Sequence, residues 1–426
     1  MRIALLTLAV PWDSCPTNGL YNIDQARALA KLGHETQIFS VAPAIPNCLS
    51  HLGGAIRRQT SRPDTYRCAG ITIHTVRALA AFPRWIRMRA ARKSPRLISA
   101  WWRRAVERPL LRALDKFQPD AIICHGVMPW GELASAIMHK LDIPGVVIEH
   151  SADDVKAVVR CSKLSRHYVD IAKKIQHVFT VNSQMAQDLQ HIGVPMVSPL
   201  RNGVNMLAEP SPSSGTGGRR SFTVLCAGEY HERKGHAILL ESFARADMLG
   251  AKLRLVGEPP RKLRSLVAEL GIAERVEILP RMPNDALLRE MAKADLFALP
   301  SWGEAFGLVF MESLGAGTPV LMTSDCGASE FIVHGKHGWI IPPRDITACT
   351  LALESAYRIG REQREAMGNH GRHLVNEGFT WSANATNVVN SLSPPASMQP
   401  VPKLLPNSIR HRYDLSWSMK EEGALK

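Results

Sequence analysis

The chain has 426 residues, of which 45% are hydrophobic and 21% are charged, and a formal net charge of +14. At roughly 150 residues per domain, this length suggests two or three domains, each with a buried core. No apolar run reaches the roughly 18 residues of a membrane-spanning helix, and the eight cysteines form no C-x-x-C pair. These features argue against an integral membrane protein, a zinc knuckle and a dithiol redox site. The positive charge indicates an anionic partner: nucleic acid, an anionic membrane or a phosphorylated substrate.

The first half alternates short apolar runs with helical patterns. Its apolar start runs into Pro11 and Trp12 without a small-residue cleavage site, so we interpret it as a strand and not as a signal peptide. The patterns predict strands at residues 3–8, 35–41, 121–124 and 145–148, and helices at residues 23–32 and 133–140. Strand, helix and strand at this spacing predict a parallel sheet, and we assign residues 1–205 to this first Rossmann-like domain.

The second half repeats the alternation after a break rich in Pro, Ser and Gly. We interpret residues 206–220 as a linker, residues 221–392 as a second α/β domain and the Pro-containing residues 393–426 as a flexible tail. The predicted strands of the second domain are residues 222–227, 252–256, 276–279, 296–299 and 320–322. Two parallel sheets leave a cleft at the carboxyl ends of their strands, where open α/β sheets bind ligands.

Residues 300–319 are the most informative segment. A Gly-rich loop at 300–306 precedes a predicted helix at 307–314, so backbone amides and the positive helix end are free to bind a phosphate. Glu312 lies inside this apolar helix, where a carboxylate needs hydrogen-bond donors. Two ribose hydroxyls would supply them, although a structural cap or ion pair fits the position equally well.

Glu304 and Glu312 are eight positions apart, which resembles the E-x₇-E motif of retaining GT-B glycosyltransferases, in particular glycosyltransferase family 4 (group 1). Gly228 with Lys234 and Gly235 is similar to the family's G-R-x₄-K-G segment. Further similar segments are residues 202–205, 294–301 and 327–345. Gly19 and the segment 33–35 lie where the family carries a Gly-rich loop and a G-H-E segment. The resemblance covers residues 1–392 and implies a GT-B fold, in which two Rossmann-like parallel-sheet domains face a central cleft.

The resemblance also implies roles for individual residues. Lys234 binds the donor diphosphate, Glu312 binds the donor ribose, and Glu304 with the following amides holds the sugar and diphosphate. The implied donor-site residues are Gly19, Gly228, Arg233, Lys234, Glu304, Ala305, Phe306, Gly307, Leu308 and Glu312. The family often has an active-site histidine after the strand that corresponds to residues 145–149. We therefore assign a catalytic role to His150, beside Glu304 and Lys234.

Two histidines follow predicted strands of the first domain. His150 is our first choice for the acceptor side and His125 is the second. The alternative for each is an ordinary histidine at the end of a strand, hydrogen-bonded to the backbone.

The implied reaction is sugar transfer from a nucleotide-sugar donor to a lipid-linked or glycan acceptor, with retention of configuration. Such a site works mainly by electrostatic preorganisation. The sequence has no D-x-D motif, so we expect no metal and no cofactor. Glu229 replaces the family arginine after the glycine, and Asn205 replaces the family aspartate. These departures motivate an alternative: a GT-B protein that binds a nucleotide-sugar without turnover.

Residues 77–112 hold eleven Arg or Lys and one acid, Glu107, together with three tryptophans. Cationic and aromatic side chains together are typical of a membrane interface. We therefore expect a cytoplasmic enzyme that binds the anionic inner face of the membrane peripherally. The alternative is a solvated helical hairpin with the tryptophans in its core. We expect Pro83, Pro95 and Pro109 to interrupt any long helix here. No nucleic-acid-binding signature accompanies the charge.

Overall fold

The computed structural model describes residues 1–13, 18–46, 48, 51, 53–78, 93–128, 130–207 and 221–392. Most of the predicted linker, all of the predicted tail and residues 79–92 of the basic stretch lie outside the described residues. Two sheets form within them, and each consists mainly of parallel strands, as the alternating patterns predict. The predicted domain boundaries stay a prediction.

The first sheet has eight strands in the order β3-β4-β2-β1-β5-β6-β7-β8, of which only β3 runs antiparallel to its neighbour. Its strands are β1 (Arg2–Thr7), β2 (Glu35–Pro43), β3 (Thr65–Cys68), β4 (Ile71–Ala78), β5 (Ala121–His125), β6 (Gly145–Glu149), β7 (His177–Thr180) and β8 (Val197–Pro199). The central strands are buried on both faces, so they read as continuous apolar runs.

The second sheet has six parallel strands in the order β11-β10-β9-β12-β13-β14. They are β9 (Thr223–Ala227), β10 (Lys252–Val256), β11 (Val276–Leu279), β12 (Leu296–Ala298), β13 (Val320–Thr323) and β14 (Gly338–Ile341). The order reverses direction between β9 and β12. Open α/β sheets bind ligands at such a topological switch point, so we expect a ligand site at the carboxyl ends of these two strands.

Helices cover both faces of the sheets. Those in the first half are α1 (Leu20–Lys31), α2 (Gly54–Thr60), α3 (Pro95–Asp115), α4 (Trp130–Leu141), α5 (Ala152–Val159), α6 (Ser162–Ala172) and α7 (Ser183–His191). Those in the second half are α8 (His236–Arg245), α9 (Arg261–Glu269), α10 (Asn284–Lys293), α11 (Leu308–Gly315), α12 (Ile346–Arg358), α13 (Gly360–Gly378) and α14 (Trp381–Asn390).

The last helix returns to the first sheet. Ala385 and Val388 of α14 are fully buried in a cluster with Ile3 and Leu5 of β1. Residues 381–392 therefore pack with the first sheet and not with the second. Helix α14 thus makes a second connection between the two halves of the chain, besides the linker at residues 206–220.

Helix α3 contradicts our expectation of an interruption at Pro109 but begins at Pro95, and Pro83 lies outside the described residues. Pro95 occupies the start of the helix, where a missing N–H costs nothing, and Pro109 lies inside it. The helix continues past Pro109 because its inner face is buried along its length, at Ser99, Trp102, Val106, Leu110 and Leu114. Tertiary packing here outweighs the loss of one backbone hydrogen bond.

Candidate active site

A short turn after β9 carries Lys234. Gly228 follows the strand directly, and a 3-10 turn over Glu232–Lys234 leads to Gly235. Gly235 has a φ of 72°, and a Cβ there would lie 2.2 Å from the Pro300 carbonyl oxygen. Only glycine therefore lets the turn pack against the loop that follows β12.

This packing joins two of the predicted site residues. Lys234 Nζ donates to Glu304 Oε1 at 2.6 Å, and the two side chains are 18% and 13% exposed. An ammonium group has three N–H donors, so two remain for an anion beside the pair. Lys234 and Glu304 are 70 positions apart in the chain. Their ion pair thus joins the K-G segment to the E-x₇-E segment.

The loop after β12 directs its carbonyl groups towards the protein. Glu304 O accepts from Gly327 N at 3.0 Å, and Phe306 O accepts from Ala328 N at 2.8 Å. The C=O and N–H groups of one trans peptide point in opposite directions, so these bonds turn the next amides the other way. In the described chain, the amides of Ala305 and Gly307 donate to no protein acceptor.

Helix α11 begins where this loop ends. Gly307 is its N-terminal cap residue with a φ of 93°, and a Cβ there would meet Cys326 Sγ at 2.8 Å. The amide of Leu308 opens the first turn, where backbone N–H groups have no partner within a helix. With Lys234, these amides make an arrangement suited to a diphosphate.

Glu312 lies one turn before the end of α11. Its Oε1 accepts from Asn284 Nδ2 at 3.1 Å. Burial raises the pKa of the Glu312 carboxyl to about 7; the Asn284 hydrogen bond opposes this shift, and the negative charge of Asp24 adds to it. The carboxyl is thus a desolvated group with spare acceptor capacity, as a ribose-binding residue requires.

Asn205, which replaces the family aspartate, has a hydrogen-bond partner in helix α1. Asn205 Nδ2 donates to Asp24 Oδ2 at 2.8 Å. Burial raises the pKa of Asp24, and the Asn205 hydrogen bond opposes that shift. An aspartate at position 205 would place two carboxylates together, so asparagine is the residue that fits beside Asp24.

The raised pKa of Glu312 predicts pH-dependent nucleotide binding. If ribose hydroxyls donate to this carboxylate, as the resemblance implies, binding requires Glu312 to lose the proton that it holds below about pH 7. We expect affinity for a nucleoside diphosphate to fall about tenfold between pH 8 and pH 6 by proton linkage. Calorimetric titration at several pH values measures this. Glu312→Gln provides the control, because it retains only the nucleotide's own titration; a wild-type slope equal to that of the variant would contradict the assignment.

His125 and His150 form one pair. Nδ1 of His125 lies 2.8 Å from Nε2 of His150, and the two rings are within 9° of parallel. Burial lowers the pKa of His150 to about 4. It also lowers the pKa of His125 well below the usual value, and His150 adds to that shift. Both rings are neutral at pH 7, and Nδ1 is the nitrogen of His150 that remains for a substrate.

Gly19 brings helix α1 against this pair. It caps α1 with a φ of 67°, and a Cβ there would lie 2.3 Å from the Ala9 carbonyl oxygen. The close approach places Tyr21, in the first turn of α1, with its ring 4.9 Å from that of His150. Gly19 thus fixes the start of α1, and Tyr21 of that helix contacts the histidines.

An ion pair links the two sides of the cleft. Arg233 Nη1 lies 3.9 Å from Asp153 Oδ2, in the first turn of α5, three positions after His150. Arg233 thus contacts the first half of the chain. The Glu229 side chain is 70% exposed and lies 3.6 Å from His231 Nε2.

Sequence reasoning missed several residues of the site. The missed residues are single polar residues without a motif: Tyr21, Asp24 and Asn284. For Asn284, the one signal that could have been used is its place at the start of α10, directly after Pro283. Among the described residues, no group of three His, Cys, Asp or Glu side chains is placed to hold a metal ion. No helix in the described ranges is long and apolar enough to cross a membrane.

Family models match most of the chain. The model for group 1 glycosyl transferases matches residues 218–374, and that for glycosyltransferase family 4 matches residues 19–206. A GDP-mannose-dependent alpha-(1-6)-phosphatidylinositol monomannoside mannosyltransferase of Mycobacterium tuberculosis is 31% identical over 40% of this chain and 47% of its own length. A D-inositol 3-phosphate glycosyltransferase of Nocardia farcinica is 36% identical over 32% of this chain and 29% of its own length. The aligned region thus spans about half or less of each relative.

Solved structures share the fold over nearly the whole described chain. Sucrose-phosphate synthase of Thermosynechococcus elongatus has a TM-score of 0.68 at 19% identity, covering 92% of this chain and 98% of its own. HepE of Anabaena, in complex with UDP and glucose, has a TM-score of 0.65 at 17% identity, covering 92% and 99%. By its two family matches and its architecture, the chain belongs to the group 1 and family 4 glycosyltransferases and has the GT-B fold.

Proposed function

We propose that this protein is a retaining glycosyltransferase that moves a sugar from a nucleotide-sugar to a lipid-linked or glycan acceptor without a metal. The observation that carries the proposal is the Lys234 and Glu304 ion pair beside the free amides of the loop at 304–308. A cation and oriented amides suit a diphosphate, while a carboxylate at the same place suits sugar hydroxyls.

The charges match those that sugar transfer creates. When the bond between the anomeric carbon and the diphosphate oxygen breaks, negative charge grows on the diphosphate and positive charge on the sugar. Lys234 and the loop amides stabilise the departing diphosphate, and the Glu304 carboxylate holds the sugar. The acceptor oxygen bonds to the anomeric carbon on the same face, and its proton passes to a diphosphate oxygen. No metal is needed because the protein supplies the positive charge.

His150 acts in this proposal as a neutral hydrogen-bond partner. Its pKa of about 4 leaves it uncharged at pH 7, so it orients a hydroxyl and does not serve as a strong acid. We assign the acceptor to the neighbouring surface of α5, where Asp153, Lys156 and Arg160 line a cavity of about 450 Å³.

Two relatives support the substrate classes. The HepE structure holds UDP and glucose, and the mycobacterial relative is named as GDP-mannose-dependent and as acting on a phosphatidylinositol monomannoside. A nucleotide-sugar donor fits both names and the anion-binding arrangement of this chain, and a lipid-linked acceptor fits the mycobacterial name.

The alternative, a binding protein without turnover, rested on Glu229 and Asn205. Asn205 is accommodated by Asp24, and Glu229 is largely exposed beside His231. Neither Glu229 nor Asn205 disrupts the ion pair between Lys234 and Glu304. We therefore favour the enzyme.

Nucleotide binding and product stereochemistry test the proposed function. UDP, GDP and other nucleoside diphosphates are screened by thermal shift, where a ligand at about 100 times its Kd should stabilise the protein by about 2.7 kcal/mol. Glu312→Ala should lose most of this shift. Transfer from the matching α-linked nucleotide-sugar should yield an α-linked product by NMR. A β-linked product would refute retention, and the absence of any nucleotide shift would refute the donor site.

We also propose that helix α3 contacts an anionic membrane surface. Its outward face carries Leu97 and Trp101, 71% and 40% exposed, and continues with the exposed Arg104 and Arg108. An apolar end followed by arginines is the pattern of an interfacial helix. The remaining basic residues up to Arg92 lie outside the described residues. This surface supports a peripheral, cytoplasmic location at the inner face of the membrane.

Vesicle binding tests this surface. The protein should co-sediment with vesicles containing anionic lipid and dissociate at 1 M salt, where the Debye length falls to about 3 Å. Arg104→Ser with Arg108→Ser should weaken binding, because each basic residue near an anionic surface contributes about 1 kcal/mol. Arg261→Ser with Lys262→Ser removes two exposed charges from α9 and should leave binding unchanged. Equal losses in both double variants would show that net charge, and not α3, drives binding.

A further inference from the structure

Asn182 joins the first half of the chain to the anion-binding loop. It follows β7, is 7% exposed and precedes α7. Its Oδ1 accepts from Met185 N at 2.8 Å and caps the helix, while its Nδ2 donates to Ala305 O at 2.5 Å. The oxygen of the Asn182 side-chain amide therefore caps its own helix, while the nitrogen binds the loop on the opposite side of the cleft.

The bond to Ala305 completes a series along the loop. The carbonyls of Glu304 and Phe306 accept from Gly327 and Ala328, and Asn182 holds the carbonyl between them. The Ala305 carbonyl shares a peptide plane with the Phe306 N–H, so fixing one orients the other in the opposite direction. Three successive amides, at positions 305–307, are thus turned to the same side. Asn182 is the member of the series that comes from the first half of the chain.

A second contact holds Asn182 in place. Ser183 N lies 3.2 Å from each carboxylate oxygen of Glu330, at the end of the 3-10 turn that also supplies Gly327 and Ala328. A Cβ at Gly327 would lie 2.0 Å from Ala305 O and 3.0 Å from Asn182 Nδ2, so the three segments meet without free space. The start of α7, the turn and the loop form one close-packed contact across the cleft.

We propose that Asn182 is a positioning residue for the donor site, which orients the Phe306 amide towards the donor diphosphate. The inference rests on the proposed function, because it assumes that the loop binds the diphosphate. Asn182 itself touches the loop and acts through it. Donor affinity then depends on the approach of the two halves, because the loop is fully oriented only while α7 is docked on it.

Two substitutions separate this role from helix capping. Asn182→Asp and Asn182→Ser both keep a side-chain oxygen that caps α7 and both remove the amide donor to Ala305. We expect each to bind UDP or GDP, whichever stabilises the wild type, about tenfold more weakly, as expected when a buried hydrogen bond is removed. Affinity for the matching nucleoside monophosphate should fall less, because it engages fewer loop amides. Gln184→Ala, an exposed neighbour in the same turn, is the control.

Titration calorimetry and melting curves decide between the outcomes. Wild-type diphosphate affinity in both Asn182 variants would overturn the inference. Equal losses for diphosphate and monophosphate would also overturn it, since they indicate general loosening of the fold. If the aspartate variant fails to fold, the serine variant carries the measurement. If the wild type binds no nucleoside diphosphate, the proposed function fails, and this result is distinct from a failure of the Asn182 variants alone.

Discussion

Replacing Lys234 with alanine should reduce kcat/KM for sugar transfer by about a hundredfold or more, the loss typical when one donor to developing negative charge is removed. The Lys234 ammonium group contacts the E-x₇-E segment, with Nζ 2.6 Å from Glu304 Oε1. Its removal weakens the hold on the departing diphosphate and leaves the Glu304 carboxylate without its counter-charge. Steady-state kinetics on purified wild type and variant measure the loss.

Two controls accompany this experiment. Lys336→Ala removes an exposed lysine from the same half of the chain and should leave kcat/KM unchanged. The assays are run with excess EDTA, which should not affect the wild type if the reaction is metal-independent. Wild-type kinetics in the Lys234 variant would show that the diphosphate binds elsewhere; loss of wild-type activity in EDTA, restored by magnesium or manganese, would refute metal independence.

The sequence predicted the central strands of both sheets and missed mostly peripheral ones. Strands such as β1 and β9 are continuous apolar runs because both faces are buried. Strands β7 (HVFT) and β8 (VSP) hold only two and one apolar residues in a row, so no apolar run marks them, whereas the equally short β12 lies within an apolar run. Strand β4 alternates buried and partly exposed positions only from Ile71 to His74, and the consecutive buried residues Thr75 and Val76 then break the two-residue period.

The sequence could single out candidate donor-site residues because they lie in two short segments. Lys234, Glu304 and Glu312 each stand in a local pattern with fixed spacing. The supporting residues do not: Asn182 and Ala305 are 123 positions apart, and Asn284 and Glu312 meet only after α10 and α11 pack together. A contact between residues so far apart in the chain cannot be predicted from one polar residue without the fold.

The histidines illustrate another limit of sequence reasoning. His125 and His150 follow neighbouring strands, and the sequence presents them as alternatives for one role. His125 ends β5 opposite Ile148 of β6, and His150 follows two positions after Ile148, so the two histidines form one hydrogen-bonded pair. The pair fixes which nitrogen of His150 remains for a substrate, and no pattern in the sequence could indicate this.

The adjacent tryptophans of α3 have different environments. Trp102 is 1% exposed and meets the Trp130 ring edge-on, with centroids 5.1 Å apart, whereas Trp101 is 40% exposed. Neither the membrane interpretation nor the core interpretation of the sequence holds for both. One residue belongs to the core and its neighbour to the outer surface, while Trp85 lies outside the described residues.

Trp102→Ala should therefore destabilise the protein by about 3–5 kcal/mol, the usual cost of truncating a buried aromatic side chain. Trp101→Ala, one position away, is the matched control and should cost well under half as much, because its ring already contacts water. Urea unfolding followed by circular dichroism measures both. Vesicle binding should show the reverse order: Trp101→Ala weakens co-sedimentation with anionic lipid, and Trp102→Ala leaves it unchanged at temperatures where the variant is folded. Equal destabilisation by the two variants would mean that Trp101 is also a core residue, and the outer face of α3 would then lose its aromatic contact with the membrane.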